Sequence, residues 1–158
     1  MSQAPQVSAE LLALCGRLRD QELTEDQARR LSELLVENPE ARADIESNEE
    51  FKLDDAEVVI LAYGSSARSA RYAVNELREQ GVKAGLFRPI TIWPFPEKRV
   101  AELGKQAKAI VVPEMNLGQM IFEVERIVKN DCALAGVNRV DGDPITPTQI
   151  IDQVKEVL

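Results

Sequence analysis

The sequence predicts an α/β protein: a three-layer, mostly parallel β-sheet with helices on both faces, preceded by a helical hairpin. Three observations lead there. From residue 55 onward, short apolar β-branched runs alternate with stretches of helical periodicity. Before that point the leucines recur at helical spacing, and no aromatic residue or lysine occurs ahead of Phe51. The charge also shifts: residues 1–50 carry five Arg against twelve Asp and Glu, whereas residues 51–158 carry fourteen basic and fifteen acidic residues. The chain is therefore read as a helical segment (1–45), a linker (46–54, SNEEFKLDD) and an α/β domain (55–158).

In the helical segment, Leu11, Leu12, Leu14, Cys15 and Leu18 form one apolar run, and Ala28, Leu31, Leu34 and Leu35 form a second. Thr24-Glu25-Asp26-Gln27 opens the second run as a capping box, with two acids at the positive end of the helix dipole. Asn38-Pro39 ends it, because a residue before proline avoids the α region. A third short helix is expected from Pro39 to Ile45. Two such helices bury too little apolar surface to be stable alone, so the hairpin should seek a partner.

In the α/β domain, Ala56 to Ala62 (AEVVILA) reads as a strand buried on both faces. Tyr63 to Ser66 turns into a helix from Ala67 to Gln80, which Gly81 ends. Val82 to Phe87 is the second strand. Arg88 to Pro96 contains three prolines and is read as a connection outside the ladder. Glu97 to Ala107 is helical, with Pro96 in its first turn. Ala109 to Val112 is the third strand; Glu114 to Gln119 turns into a helix that runs through Val128. Ala133 to Val140 is the fourth strand, interrupted by Gly136. Thr146-Pro147 caps a last helix that runs to Leu158.

Composition narrows the chemistry. The net charge of −8 disfavours nucleic acid and anionic lipid as partners. There is no histidine, which removes histidine-based triads and most zinc and haem sites. Two cysteines far apart, Cys15 and Cys132, make no metal-ligand spacing and fit a reducing cytoplasm. No apolar run approaches the ~18 residues of a membrane span. The N-terminus lacks the basic start and apolar stretch of a secretory signal.

Ligands of parallel sheets sit beyond the carboxyl ends of the strands. Gly64, Ser65 and Ser66 there offer backbone amides at a helix start, with Arg68 and Arg88 nearby in sequence order, a candidate anion site. The same residues also read as a tight turn with a serine N-cap and two surface arginines. Glu114, Asn116 and Gln119 read either as functional polar groups or as side chains that fix the turn. Trp93 and Phe95, in a stiff proline-rich run, either pack on their own sheet or anchor an interface. Both cysteines fall in apolar patterns and read as core residues.

Two resemblances add to this reading. The stretch Leu18–Ile45 (LRDQELTEDQARRLSELLVENPEARADI) resembles the helical N-terminal module of FecR-like and anti-sigma-like regulators. Three motifs of the α/β domain are AYGSSARSA (Ala62–Ala70), GLFRPITIWPFP (Gly85–Pro96) and EMNLGQ (Glu114–Gln119). They resemble the C-terminal, transketolase-C-like domain of the alpha subunit of 2-oxoacid:ferredoxin oxidoreductases, with the 2-oxoglutarate branch nearest. That resemblance implies an enzyme system using thiamine diphosphate and iron–sulfur clusters to convert a 2-oxoacid and CoA to an acyl-CoA. It also implies that both cofactors belong to partner domains or subunits, because this chain has neither the diphosphate–metal motif nor a cysteine cluster. The expected role is a non-catalytic assembly module that packs against other domains, a beta subunit or a second copy of itself. Against it stands a free-standing regulatory protein that binds a partner through its N-terminal helices.

Overall fold

The computed structural model describes residues 9–19, 22–37 and 46–158. It divides into two compact units, residues 1–46 and 47–158. The third short helix expected over Pro39–Ile45 lies outside the described residues.

The first unit contains α1 (Ala9–Arg19) and α2 (Glu25–Glu37). Leu11 and Leu14 of α1 pack with Leu31, Leu34 and Leu35 of α2, and Cys15 and Leu23 lie at the edge of this cluster. The expected capping box is present: Thr24 Oγ1 accepts from Gln27 N–H at 3.3 Å, and Gln27 Oε1 accepts from Thr24 N–H at 3.1 Å. Arg30 of α2 donates to Glu10 of α1 at 3.1 Å. Leu12 and Val36 remain exposed, so the hairpin does not bury all its apolar surface.

The second unit is a five-stranded sheet in the order β1-β3-β2-β4-β5: β1 (Asn48–Phe51), β2 (Val58–Leu61), β3 (Ala84–Pro89), β4 (Ala109–Glu114) and β5 (Ala133–Asn138). The helices are α3 (Ser66–Glu79), α4 (Glu97–Gln106), α5 (Gln119–Val128) and α6 (Pro147–Val157). β2 pairs in parallel with β3 and β4, and β4 pairs in parallel with β5. Strand alternation splits the core in two. Val58, Ile60, Leu86 and Val111 pack with Val74 and Leu77 of α3 and Ile150 and Val154 of α6. Val59, Leu61, Phe87, Ile110 and Val112 face the other way, against Val100 and Leu103 of α4 and Val124 and Val128 of α5. This is the three-layer arrangement that the sequence predicts. Gly81 ends α3 at a φ of 84°, and Thr146, Pro147 and Gln149 build the expected cap of α6.

Two expectations are corrected. Residues 46–54 are not simply a linker, because Asn48–Phe51 pairs antiparallel with β3 as an edge strand. An N-E-E-F run has little intrinsic strand preference. Long-range contacts compensate: Glu49 accepts from Arg88 at 3.0 Å and from Arg71, and Glu50 accepts from Arg99 at 2.7 Å. Phe51 packs on the sheet beneath the Arg71 guanidinium, 4.2 Å from the ring centre. The second correction is that Arg88 and Pro89 extend β3, with Pro89 opposite Asn48. Proline is tolerated there because it is the strand's last residue and removes a single donor. β3 also needs a glycine, since a Cβ on Gly85 would lie 2.6 Å from Lys52 O and 2.7 Å from a Leu53 methyl.

Arg78 ties the start of the domain to α3. It donates to Asp55 at 2.7 Å, to Lys52 O at 2.8 Å and to the carbonyl of buried Ala84 at 2.6 Å. Arg78→Ala strands that carbonyl and should cost about 1–3 kcal/mol in urea unfolding. Arg78→Lys should recover only part, since one ammonium cannot reproduce the fork.

The Arg88 hydrogen bond, aided by Arg71, holds the Glu49 carboxyl below the usual glutamate range. A depressed folded pKa means that the stabilisation is present above the unfolded pKa of about 4.3 and is lost as pH falls through the folded value. The melting temperature should therefore decline on acidification below that range, and Glu49→Gln should flatten the decline. Asp55, Glu57 and Asp141 are depressed by their own cations and should keep the remainder of it.

Candidate functional site

The carboxyl ends of β2, β3 and β4 face one edge of the second unit, and these strand ends, the loops that leave them and the first turns of the following helices carry the candidate site residues named from the sequence. Two arrangements result.

The first is a cleft of about 450 Å³ that brings together Gly64, Ser65, Arg68, Arg71, Arg88 and Glu49. Gly64 supplies the turn with a φ of 56°. Ser65 stands at the N-cap of α3, but its side chain makes no capping bond. Its hydroxyl donates to the Met115 sulfur at 3.5 Å. Ser66 is buried in the first turn and is not among the cleft's lining residues. The charge is partly spent within the fold: Glu49 receives both Arg71 and Arg88. The Arg88 Nε is buried with no hydrogen-bond partner among the described residues. Arg68 is exposed on the first turn of α3, and no ion pair to it is found among the described residues.

The second arrangement surrounds the β4–α5 turn. Glu114 is 1% exposed, and its two oxygens accept the Met120 and Ile121 amides at 2.8 and 3.0 Å. It caps α5 from the preceding strand, so its charge sits on the positive end of that helix. Asn116 Oδ1 accepts from Gly118 N–H at 2.8 Å and Gln119 N–H at 3.0 Å, and its amide donates to the Tyr63 hydroxyl at 2.7 Å. Asn138 Nδ2 donates to Asn116 O at 3.0 Å, so the loops after β2 and β4 are joined to the end of β5. Burial and the negative field of Glu114 push the Tyr63 phenol above its ordinary value. The Gln119 side chain is exposed and belongs to no part of this network.

Several large apolar side chains on these loops and on α5 are exposed. Trp93 is 52% exposed, Leu117 83% and Phe122 64%, with Ile90 and Ile92 beside Trp93 in the chain. Phe95 differs from Trp93, because it is half-buried against the core that includes Val100 and Phe87. Sequence reading missed Glu49, Arg71 and Tyr63. Arg71 was legible as the i+3 partner of Arg68 on one helix face, and Tyr63 as the residue before Gly64. Glu49 carried no local signal, since only the pairing of β1 with β3 brings it to the cleft.

Glu114→Gln should retain one acceptor and turn an NH₂ toward the other amide. It should destabilise the domain by about 1–3 kcal/mol in denaturant unfolding. Gln119→Ala should leave stability within ~0.5 kcal/mol of the parent.

Comparison with known proteins places these features in a family. The family described as pyruvate:ferredoxin oxidoreductase core domain II matches residues 56–150. The 2-oxoglutarate synthase subunit KorA of Methanocaldococcus jannaschii is 43% identical over 96 residues, covering 61% of this chain and 26% of that protein. The ketoisovalerate oxidoreductase subunit VorB of Methanothermobacter thermautotrophicus is 39% identical over 122 residues, covering 75% of this chain and 34% of that one. The chain thus spans only about a quarter to a third of these relatives. At 75% of the chain, the VorB match is slightly longer than residues 47–158 and so extends a short way ahead of residue 47. A 2-oxoglutarate:ferredoxin oxidoreductase structure from Magnetococcus marinus shares the fold with a TM-score of 0.64 at 22% identity, over 84% of this chain and 23% of that one. A split-gene transketolase shares it at 0.61 and 19% identity, over 71% of this chain and 42% of that one. The glycine turn after β2, the capped β4–α5 turn and this match over more than half the chain show that it belongs to the pyruvate:ferredoxin oxidoreductase core domain II family, among the 2-oxoacid:ferredoxin oxidoreductases.

Proposed function

We propose that the chain is a non-catalytic assembly module of a 2-oxoacid:ferredoxin oxidoreductase, with 2-oxoglutarate the nearest substrate branch, working in the cytoplasm. The observation that carries this is the exposure of Trp93 and Leu117, on the loops after β3 and β4, and of Phe122 on α5, in a chain as long as a quarter to a third of its relatives. A large aromatic half in water on a proline-stiffened loop suits an interface anchor.

The residues present do not fit an iron–sulfur cluster, because a [4Fe–4S] cluster needs about four thiolates and the chain has two cysteines. Decarboxylation, electron transfer and CoA acylation belong, in this reading, to partner domains or subunits. No described helix is long and apolar enough to cross a membrane.

For the cleft we propose weak anion binding by the Gly64–Ser65 turn with Arg68 and Arg88. An anion there must compete with Glu49 for Arg88. Phosphate titration followed by NMR should show tighter binding in Glu49→Gln and loss in Arg68→Ala. No phosphate-dependent shift in the parent overturns the assignment.

The assembly role is tested by co-expression with the oxidoreductase chains that carry the remaining length of the relatives. A stable complex that reduces a viologen dye in the presence of 2-oxoacid and CoA is expected, with neither part active alone. Trp93→Ala should change stability by less than ~1 kcal/mol yet weaken the complex by about 2 kcal/mol or more. Activity of the pure chain, or thiamine diphosphate binding to it by calorimetry, overturns the reading.

A further inference from the structure

β1 is a strand that side chains from other elements hold in place. Its Asn-Glu-Glu-Phe run has little strand preference of its own. The antiparallel register sets Glu49 directly opposite Arg88. Arg88 donates to one Glu49 carboxylate oxygen at 3.0 Å, and Arg71 of α3 donates to the other. Two residues on, Phe51 faces the same way, with the Arg71 guanidinium 4.2 Å from its ring centre. Glu50 points to the opposite face, where Arg99 of α4 donates to both its oxygens at 2.7 and 2.9 Å. Among the described residues, the ion pairs of β1 thus come from two arginines on one face and one on the other. The two that hold Glu49 also line the cleft with Gly64, Ser65 and Arg68, and so does Glu49 itself. The Arg88 Nε lies buried there without a hydrogen-bond partner. Glu49 therefore stands, as a carboxylate of the chain itself, where an anion in the cleft would meet Arg71 and Arg88. A doubly charged anion offers these guanidinia more charge than one carboxylate does, and it repels Glu49 at the same time.

We propose that anion binding in the cleft and the docking of β1 oppose each other: a phosphate dianion drawn to Arg68, Arg71 and Arg88 displaces Glu49 and loosens β1 on the sheet. The inference rests on the anion binding proposed above for this cleft and adds its consequence for the strand. The coupling is reciprocal, so a change that weakens the docking of β1 tightens the anion. The loosening is confined to a short stretch. Arg78 keeps Lys52 O on one side, and on the other Ser47 O still accepts the Ile90 and Thr91 amides. β1 is the first strand of the second unit and follows directly on the boundary at residue 46. Occupancy of the cleft thus sets how firmly the chain is held where it enters the α/β unit.

The test is hydrogen exchange of the full chain in inorganic phosphate, set against sodium chloride at the same ionic strength, because exposed ion pairs weaken with salt alone. Phosphate should speed exchange over residues 48–51 by roughly threefold to tenfold, as expected when charge-assisted pairs at a half-exposed site are lost. In Glu49→Gln these residues should exchange faster from the start, and phosphate should add little. Glu50→Gln frees β1 from Arg99 on the face away from Glu49, and should tighten phosphate binding in an NMR titration by up to the same factor. Glu102→Gln removes an equal charge from the same Arg99 without touching β1, and should leave the affinity unchanged. If phosphate shifts the Gly64 and Ser65 signals while residues 48–51 exchange as they do in chloride, the coupling is overturned and the anion site stands. Equal tightening by Glu50→Gln and Glu102→Gln also overturns the coupling, because the effect is then one of net charge. No phosphate-dependent shift in either the parent or Glu49→Gln overturns the site and the coupling together.

Discussion

β2 and β4 are buried on both faces, and the rest of the second unit follows from that constraint. A strand with apolar side chains above and below needs a covering layer on each side, which α3 and α6 supply on one and α4 and α5 on the other. Parallel neighbours need crossovers, so every strand of that set delivers its loop to the same edge. The functional edge is thus a consequence of core burial. Three loops from adjacent strands meet there because the sheet leaves them no other exit.

At that edge, charge is used mainly to hold structure. Glu114 is the clearest case. A carboxylate with almost no contact with water is stable only if its oxygens are satisfied, and the two α5 amides do this while receiving a negative charge at a helix N-terminus. Asn116 continues the same task by linking the turn to Tyr63 and, through its carbonyl, to Asn138. Glu49 does the equivalent for the opposite side, pinning β1 through two arginines from different elements. What is left over is different in kind: Trp93 and Leu117 stand in water, and one strand edge keeps hydrogen-bonding groups unused by any strand among the described residues. Exposed apolar surface of that size is costly in an isolated molecule.

The helical hairpin follows the same logic on a smaller scale. Five leucines close a minimal core and the Thr24–Gln27 cap secures α2, yet Leu12 and Val36 stay exposed.

Local pattern by itself determined the layers of this protein. The four parallel strands, their helices, the caps at Thr24 and Thr146 and the glycine at 81 were all legible because each depends on side-chain period or on backbone preference within a few residues. So was the motif order that points to the family. Tertiary structure decided what depends on residues far apart in the chain. β1 is a strand only because β3 lies beside it and three arginines reach its two glutamates. Glu49 enters the cleft for that reason alone. Trp93 and Phe95, two residues apart in one apolar run, divide into an exposed and a half-buried partner because only Phe95 meets α4 and the sheet. Glu114 could read as a reactive carboxylate or as a cap until the Met120 and Ile121 amides were found on its oxygens. Pairing across long loops and the burial of individual side chains are properties of packing, and no period in the sequence encodes them.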